Sequence, residues 1–385
     1  MTEAVVGGIE VEGAQIAATV MMGDRRHTIS HVASKGPVSG SADTFLPAVL
    51  VAAMASGHDV RIEGPVSARL LASVPEIQRT LVGFDRRSWH LGLRMVSVEA
   101  DGTHGAALEP DRGVGALFSG GIDSFYTALQ HLDEITELVS IRWLGVEPKA
   151  DTFRERILDG IREAAGELDR PLMEVRSTLR LFSRAYVGWG ELHGAGMASV
   201  GLLLAPRFRK LYVPGWLNYT DQLPYGSHPA LDPLWSTEDV EVVYDGTEAT
   251  RHEKVERLAD SDVARRWLQV CNDSSAAYNC GTCRKCLWTM TSLEMVGALG
   301  DFRQFPATVD LERLSSLALT KPHIRLGWEA TLRAVERAGS RPDLAAAIRS
   351  SLARRRKDLI QRAARRLGRR SRPRREPLRK VEESE

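Results

Sequence analysis

Cysteine is scarce in this chain of 385 residues: there are four, all between positions 271 and 286. Thiols gathered so tightly do not make a disulfide framework and need another explanation. Long apolar runs are also missing. No stretch of eighteen apolar residues occurs, which argues against a membrane span. The first residues, MTEAVVGGIEVEG, carry neither a basic leader nor an apolar segment, so no signal peptide is expected and a cytoplasmic location is. Net charge is nearly absent, at +1, so the chain as a whole does not advertise nucleic-acid binding. Neither GxxxxGK[ST] nor GxGxxG is present, and no glutaminase signature is recognisable.

The charge balance conceals an asymmetry. From Arg354 to Lys380 there are fourteen Lys and Arg against Asp358 and Glu376, leaving an acidic remainder. This tail lacks aromatic residues and so offers no base stacking. A solvated tail, helical in its first part up to Leu367, is favoured over one that grips RNA, a protein or a membrane.

Residues 1–105 mix strand alternation, as in GIEVEGAQIAATV, with a helix, DTFLPAVLVAAMAS, and a strand, HDVRIEG. One or two helices follow in PVSARLLASVPEIQRTL, with Ser73 as a candidate N-cap, then a strand around GLRMVSVEA. The pattern predicts a small α+β domain, and ADGTHGAALEPDRG reads as the linker out of it. From residue 113 strands and helices alternate: VGALF, ELVSIRWLG, PLMEVR, KLYVPG and VEVVYD are the expected strands. The fold class expected is α/β with a parallel sheet and crossover helices. Domain bounds are placed at 1–105, 112–298, a helical extension over 299–353 and the basic tail over 354–385.

ALFSGGIDSF, residues 116–125, breaks an apolar strand with two glycines and restarts as a helix. Glycine lets backbone approach a ligand, and the first amides of a helix have no partner within it, so the turn suits a phosphate. CNDSSAAYNCGTCRKC spaces Cys271, Cys280, Cys283 and Cys286 as C-x8-C-x2-C-x2-C. Four thiolates can close on one Zn²⁺ with no open position; an iron–sulfur cluster, redox thiols and unligated cysteines are the alternatives. After KLYVPG, a long loop gathers Trp216, Tyr219, Asp221, Tyr225, His228 and Asp232, aromatic walls with polar groups that suit a flat or apolar small molecule. His228 is a candidate general base oriented by Asp232; the competing reading is a histidine that caps a turn before Pro229 while Trp216 and Trp235 pack beneath the loop. His193 and Arg176 are weaker candidates for contact with a nucleotide.

SGGIDS resembles the SGGxDS signature of the N-type ATP pyrophosphatases, the PP-loop family, which cleave ATP between its α and β phosphates and place AMP on a substrate oxygen. The resemblance implies an adenine nucleotide α-hydrolase-like domain. Ser119, Gly120, Gly121, Ile122 and Ser124 would hold the pyrophosphate, and Asp123 would position Mg²⁺. With the cysteine spacing some 150 residues on, the stretch from about 112 to 298 is similar to the 7-cyano-7-deazaguanine synthases, which adenylate a carboxylate and then an amide. Two weaker matches follow: HGAGM, with Gly194 near the nucleotide, and TRHEK, with Lys254 on a phosphate. The loop at 215–235 departs from that family's pattern. What is implied is an ATP-dependent ligase using ATP, Mg²⁺ and Zn²⁺, with a small carboxylate or amide as substrate and an amine or ammonia as nucleophile. Catalytic roles fall to Asp123, Ser119, Lys254 and His228, and a homo-oligomer without a membrane partner is expected. A tRNA thiolase and an inactive nucleotide-binding regulator are the competitors.

Overall fold

A computed structural model describes residues 3–144, 151–271, 273 and 278–354. The basic tail beyond Arg354 therefore lies outside the described residues, as do residues 145–150 at the end of the ELVSIRWLG strand. Two compact units divide the chain, residues 1–308 and 309–385.

The first unit is an α/β protein built on one mixed sheet of ten strands, mostly parallel, with an antiparallel hairpin region at its N-terminus. The strands are β1 (Glu3–Glu12), β2 (Gln15–Met22), β3 (Arg25–Ala33), β4 (Asp59–Ser67), β5 (Val98–His104), β6 (Gly113–Leu117), β7 (Glu137–Trp143), β8 (Leu172–Ser177), β9 (Phe208–Pro214) and β10 (Glu241–Asp245). The helices are α1 (Leu46–Ser56), α2 (Ala68–Phe84), α3 (Ile122–Gln130), α4 (Asp151–Glu167), α5 (Leu179–Ser183), α6 (Trp189–Leu203), α7 (Arg251–Ala259), α8 (Asp262–Trp267) and α9 (Arg284–Met295). In space the strands run β10-β9-β6-β7-β8-β3-β2-β1-β4-β5. Five consecutive members, β10 to β8, are parallel to their neighbours. The second unit holds α10 (Leu311–Ser315), α11 (Pro322–Ala338) and a helix over 342–354. Among the described residues no helix is long and apolar enough to cross a membrane.

The five parallel strands lie where the alternating pattern predicts them. The N-terminal segment, however, continues their sheet: β3 pairs antiparallel with β8 through His31 and Ser177, Val32 and Arg176, and Ala33 and Val175. One apolar core runs through both parts, from Ala4 and Val6 to Leu211 and Val242. Helix α1 is buried from Leu46 to Met54, and its apolar residues surround it on every side, as a helix within a core requires. Against it lies α6, whose Ser199 hydroxyl donates to the Thr44 carbonyl at 2.6 Å.

Three local expectations change. PVSARLLASVPEIQRTL ends β4 with its first three residues and continues as one helix, α2, that retains Pro75; Ser67 caps it by accepting from the Leu70 amide, and Ser73 bonds back to the Arg69 carbonyl instead. β3 is an additional strand, and the last N-terminal strand begins at Val98, so the first five residues of the expected linker belong to strand β5 at the sheet edge. The reason is exposure: only alternate residues of β5 are partly covered, which leaves it a polar, glycine-containing sequence.

Candidate phosphate site and four-cysteine centre

Numbered from β6, the parallel strands follow the spatial order 3-2-1-4-5, so the connection reverses direction between β6 and β9. In open α/β sheets the usual ligand position lies outside the carboxyl ends of two such strands. SGGIDS leaves β6 at that point and the loop at 215–235 leaves β9 beside it.

Gly120 takes φ +73°, a region unfavourable for residues with a Cβ, and its carbonyl accepts from the Gln269 amide at 2.8 Å. Gly121 caps α3 without any side-chain bond, and the amides of Ile122, Asp123 and Ser124 open that helix with no acceptor inside it. The Ser119 side chain is exposed, whereas Ser124 is buried and ties the turn together. Its hydroxyl donates to the Gly121 carbonyl at 3.0 Å and accepts from the Ser119 amide at 3.2 Å. The Ile122 side chain goes into the core.

Asp123 projects from the first turn with one carboxylate oxygen, Oδ1, enclosed and without a hydrogen-bond donor. Lys254 faces it. This lysine is fully buried, lies 3.5 Å from Asp123 Oδ1, and donates to the Gly215 carbonyl at 2.6 Å. It therefore joins the SGGIDS turn to the start of the loop at 215–235. Its helix α7 opens with a capping box between Thr250 and Glu253, which fixes the start from which Lys254 turns inward.

Arg251 and Lys285 act electrostatically on Asp123 as well; the sequence offered Lys285, with Arg284, only as a charge beside the thiolates or a solvated residue. Arg251 lies over the Trp288 ring at 4.1 Å and donates to Thr289 Oγ1 at 3.2 Å, while its Nε is enclosed without a partner. Burial lowers its pKa, with Asp123 opposing and Arg284 adding to the shift. Lys285 is lowered by burial first, then by Arg251 and Arg284, with Asp123 and Cys283 opposing. It remains solvent-accessible. The only sequence signal was the pair Arg284–Lys285 set between cysteines.

The long loop contains two 3₁₀ turns, Tyr219–Asp221 and Asp232–Trp235. Its expected pocket residues separate. Trp216 and Tyr225 meet at 6.1 Å, Tyr225 meets His193 at 6.0 Å, and His193 meets Trp189 at 5.6 Å, which in turn packs on Trp143 at 4.5 Å. Burial foremost, then Arg180 and Lys285, lowers the His193 pKa to about 4. Tyr219 is 70% exposed, and the Asp221 amide is capped by Asn218. His228 is turned elsewhere: its ring stacks edge-on with Phe84 at 4.8 Å and its Nδ1 accepts from the Ala230 amide. Asp232 accepts from the Ser227 hydroxyl at 2.6 Å and from the His228 backbone amide at 3.1 Å, so it orients the chain and not the imidazole. Burial raises its pKa to about 7. Trp235 is fully buried. Gly194 sits where a Cβ would lie 2.1 Å from the Gly226 carbonyl oxygen, which is a packing reason for glycine there. Arg176 lines a separate cavity of about 290 Å³ with the ion pairs Arg142–Glu155 and Arg162–Glu174.

The four cysteine sulfurs converge within 4.8 Å of one another, with Cys271–Cys283 and Cys280–Cys286 at 3.9 Å. Tetrahedral ligation at a Zn–S length of about 2.3 Å places sulfurs about 3.8 Å apart, so a metal such as zinc can be held with little adjustment. Backbone amides already point at the sulfurs, from Asp273 to Cys271, from Thr282 and Cys283 to Cys280, and from Cys286 to Cys283. Such bonds support thiolate ligands. The Cys286 thiol foremost, with other donors, draws the Cys283 thiol down to about 4, whereas burial pushes Cys271 up to about 11. A dication in place of the shared protons settles this competition for four thiolates.

No family model, curated protein or solved structure matches the chain.

Proposed function

We propose that the protein is an ATP-dependent adenylating ligase of the PP-loop type, which joins a nitrogen nucleophile to a carboxylate or amide of a small molecule. One observation carries this: a glycine turn at the switch point of the parallel strands presents unpartnered amides beside Asp123, whose enclosed Oδ1 faces the buried Lys254 at 3.5 Å.

A substrate oxygen attacks the α-phosphorus of ATP, the bond to the bridging oxygen breaks, and pyrophosphate departs with the electron pair. The amine or ammonia then adds to the activated carbon, gives up a proton, and expels AMP. Negative charge grows on the bridging oxygen, so fixed donors there lower the barrier more than they stabilise bound ATP. The amides of Ile122, Asp123 and Ser124 and the Ser119 hydroxyl receive the pyrophosphate oxygens, and Lys254 and Arg251 balance their charge. Asp123 suits a magnesium ion, which supplies Lewis-acid stabilisation of the same oxygens when bound. The four-cysteine centre takes zinc, closed and structural, with no open coordination position.

A thiolase would need a sulfur-carrying cysteine, and all four cysteines of the chain belong to the metal cluster. That favours a nitrogen nucleophile. The test is incubation with ATP, Mg²⁺ and a library of carboxylates: pyrophosphate and AMP are expected, and ADP with orthophosphate refutes the assignment.

A further inference from the structure

Resting on this reading of the phosphate site, we infer that the four-cysteine centre is its positioning device: metal in the centre holds Arg284 and Lys285 against the phosphate loop, so that pyrophosphate affinity follows metal occupancy.

Two independent connections link centre and loop. The first is helix α9. Cys283 is its N-cap, its sulfur accepting from the Cys286 amide, and Cys286 lies in the first turn. Arg284 and Lys285 stand between these two ligands, so the sulfurs that would bind metal also fix the backbone from which both cations extend. That helix packs on α7 through Arg251, which lies on Trp288 and bonds to Thr289. Arg284 and Lys285 lie one turn before Trp288 and Thr289, on the face of α9 against which Arg251 packs.

The second connection is the segment leading to Cys271. Its Gln269 amide donates to Gly120 O at 2.8 Å, and the Gln269 side chain donates to the Cys271 carbonyl at 2.9 Å. Asn279, next to Cys280, accepts from the amides of Val270 and Cys271 at 3.0 and 3.2 Å and donates to the Leu268 carbonyl at 2.9 Å. Gly120 thus rests on a strip of chain clamped between two cysteine ligands. Asn279 ties this strip to the chain beside Cys280, and the four sulfurs close the remaining span to the first turn of α9, so removing the ion loosens both sides of the phosphate site.

The experiment titrates inorganic pyrophosphate calorimetrically into the full chain at fixed ionic strength and Mg²⁺, with zinc content measured on every sample. Zinc-loaded protein, chelator-treated protein and the zinc-loaded double variant Arg284→Gln/Lys285→Gln are compared, with circular dichroism reporting the fold. Loss of a charged contact is expected to weaken binding roughly tenfold to a hundredfold. Chelation and the double substitution should each do this, and chelation of the double variant should add little. Equal affinity in loaded and folded stripped protein overturns the inference, as does a zinc-retaining double variant that binds like the wild type. If stripping unfolds the chain, the loaded double variant decides. Zinc-loaded wild type that binds no pyrophosphate fells the phosphate-site reading as well, whereas binding indifferent to both changes fells the inference alone.

Discussion

Asp123→Asn separates the chemistry of the phosphate site from its architecture, because the amide keeps the shape of the carboxylate and removes its charge. At 3.5 Å the Asp123–Lys254 pair gains about 5 kcal/mol of gross Coulomb energy at an effective dielectric constant of about 20. Most of this is offset by desolvation, and Lys254 keeps its 2.6 Å bond to Gly215, so it is not left uncompensated. The net loss of stability is then about 1–2 kcal/mol, or roughly 2–3 °C in melting temperature for a unit of this size. A protein with about 5–15 kcal/mol in hand remains almost wholly folded at 25 °C after such a loss. Pyrophosphate release should nonetheless fall by about 10²–10³-fold, the usual consequence of removing a group that stabilises the departing charge. Two assays check this: pyrophosphate release with the acid found by the library screen, and ATP affinity titrated with and without Mg²⁺. The Mg²⁺-dependent gain in affinity should vanish in the variant. Wild-type turnover and an unchanged Mg²⁺ response in folded Asp123→Asn would refute the role given to this carboxylate.

The remaining predictions concern backbone and protonation. Gly120→Ala must hold a Cβ at φ +73° and meet Ile161 at 3.3 Å; about 1–2 kcal/mol of strain and a marked loss of ATP affinity are expected by calorimetry. Gly194→Ala places its Cβ 2.1 Å from Gly226 O and 2.7 Å from Asp232 Oδ1, so a melting scan should show destabilisation of at least about 3 kcal/mol. Loss of ATP binding at unchanged melting temperature would instead assign Gly194 to the nucleotide. Asp232 has its folded pKa raised to about 7 by burial, so the unfolded chain releases this proton first as pH rises, and stability falls between about pH 4 and 7. Asp232→Asn should flatten that slope. Burial lowers His31 to about 4, so the unfolded state takes up the proton first and stability falls as pH drops from about 6.5 toward 4; His31→Gln should remove that loss in melting curves against pH.

What sequence could reveal follows from where the physical signal resides. β6 through β10 were legible because buried parallel strands are continuous apolar runs, and SGGIDS because a glycine turn between strand and helix is a local event. The cysteine centre was legible from spacing. β3, RRHTISHVA, was not: its arginines and histidines weaken the alternation, although His31 is fully buried in the fold. The cation wall was only partly legible. Lys254 and Arg251 come from α7, Arg284 and Lys285 from α9, and nothing local distinguishes an inward lysine from a solvated one. For His228 the sequence left two readings open, a general base and a turn cap. A histidine in an aromatic loop suggested chemistry, but its ring acceptor serves the turn at Ala230.

Continuity of the core also bears on how the row of aromatic rings from Trp143 to Trp216 is held. Trp189 and His193 belong to α6, and this helix is seated on α1 and on the Thr44 carbonyl, both contributed by the N-terminal segment. The Gly194 amide donates to the Gly226 carbonyl at 3.1 Å and the Gly226 amide to Gly190 at 3.0 Å, which brings Tyr225 against His193. Helix α6 therefore joins the apolar core of the N-terminal segment to the loop at 215–235, whose Leu231 and Trp235 are buried in the same core. Without α1, α6 would expose its apolar residues. The N-terminal strands and helix thus act on that loop through packing, without supplying a group to the phosphate site.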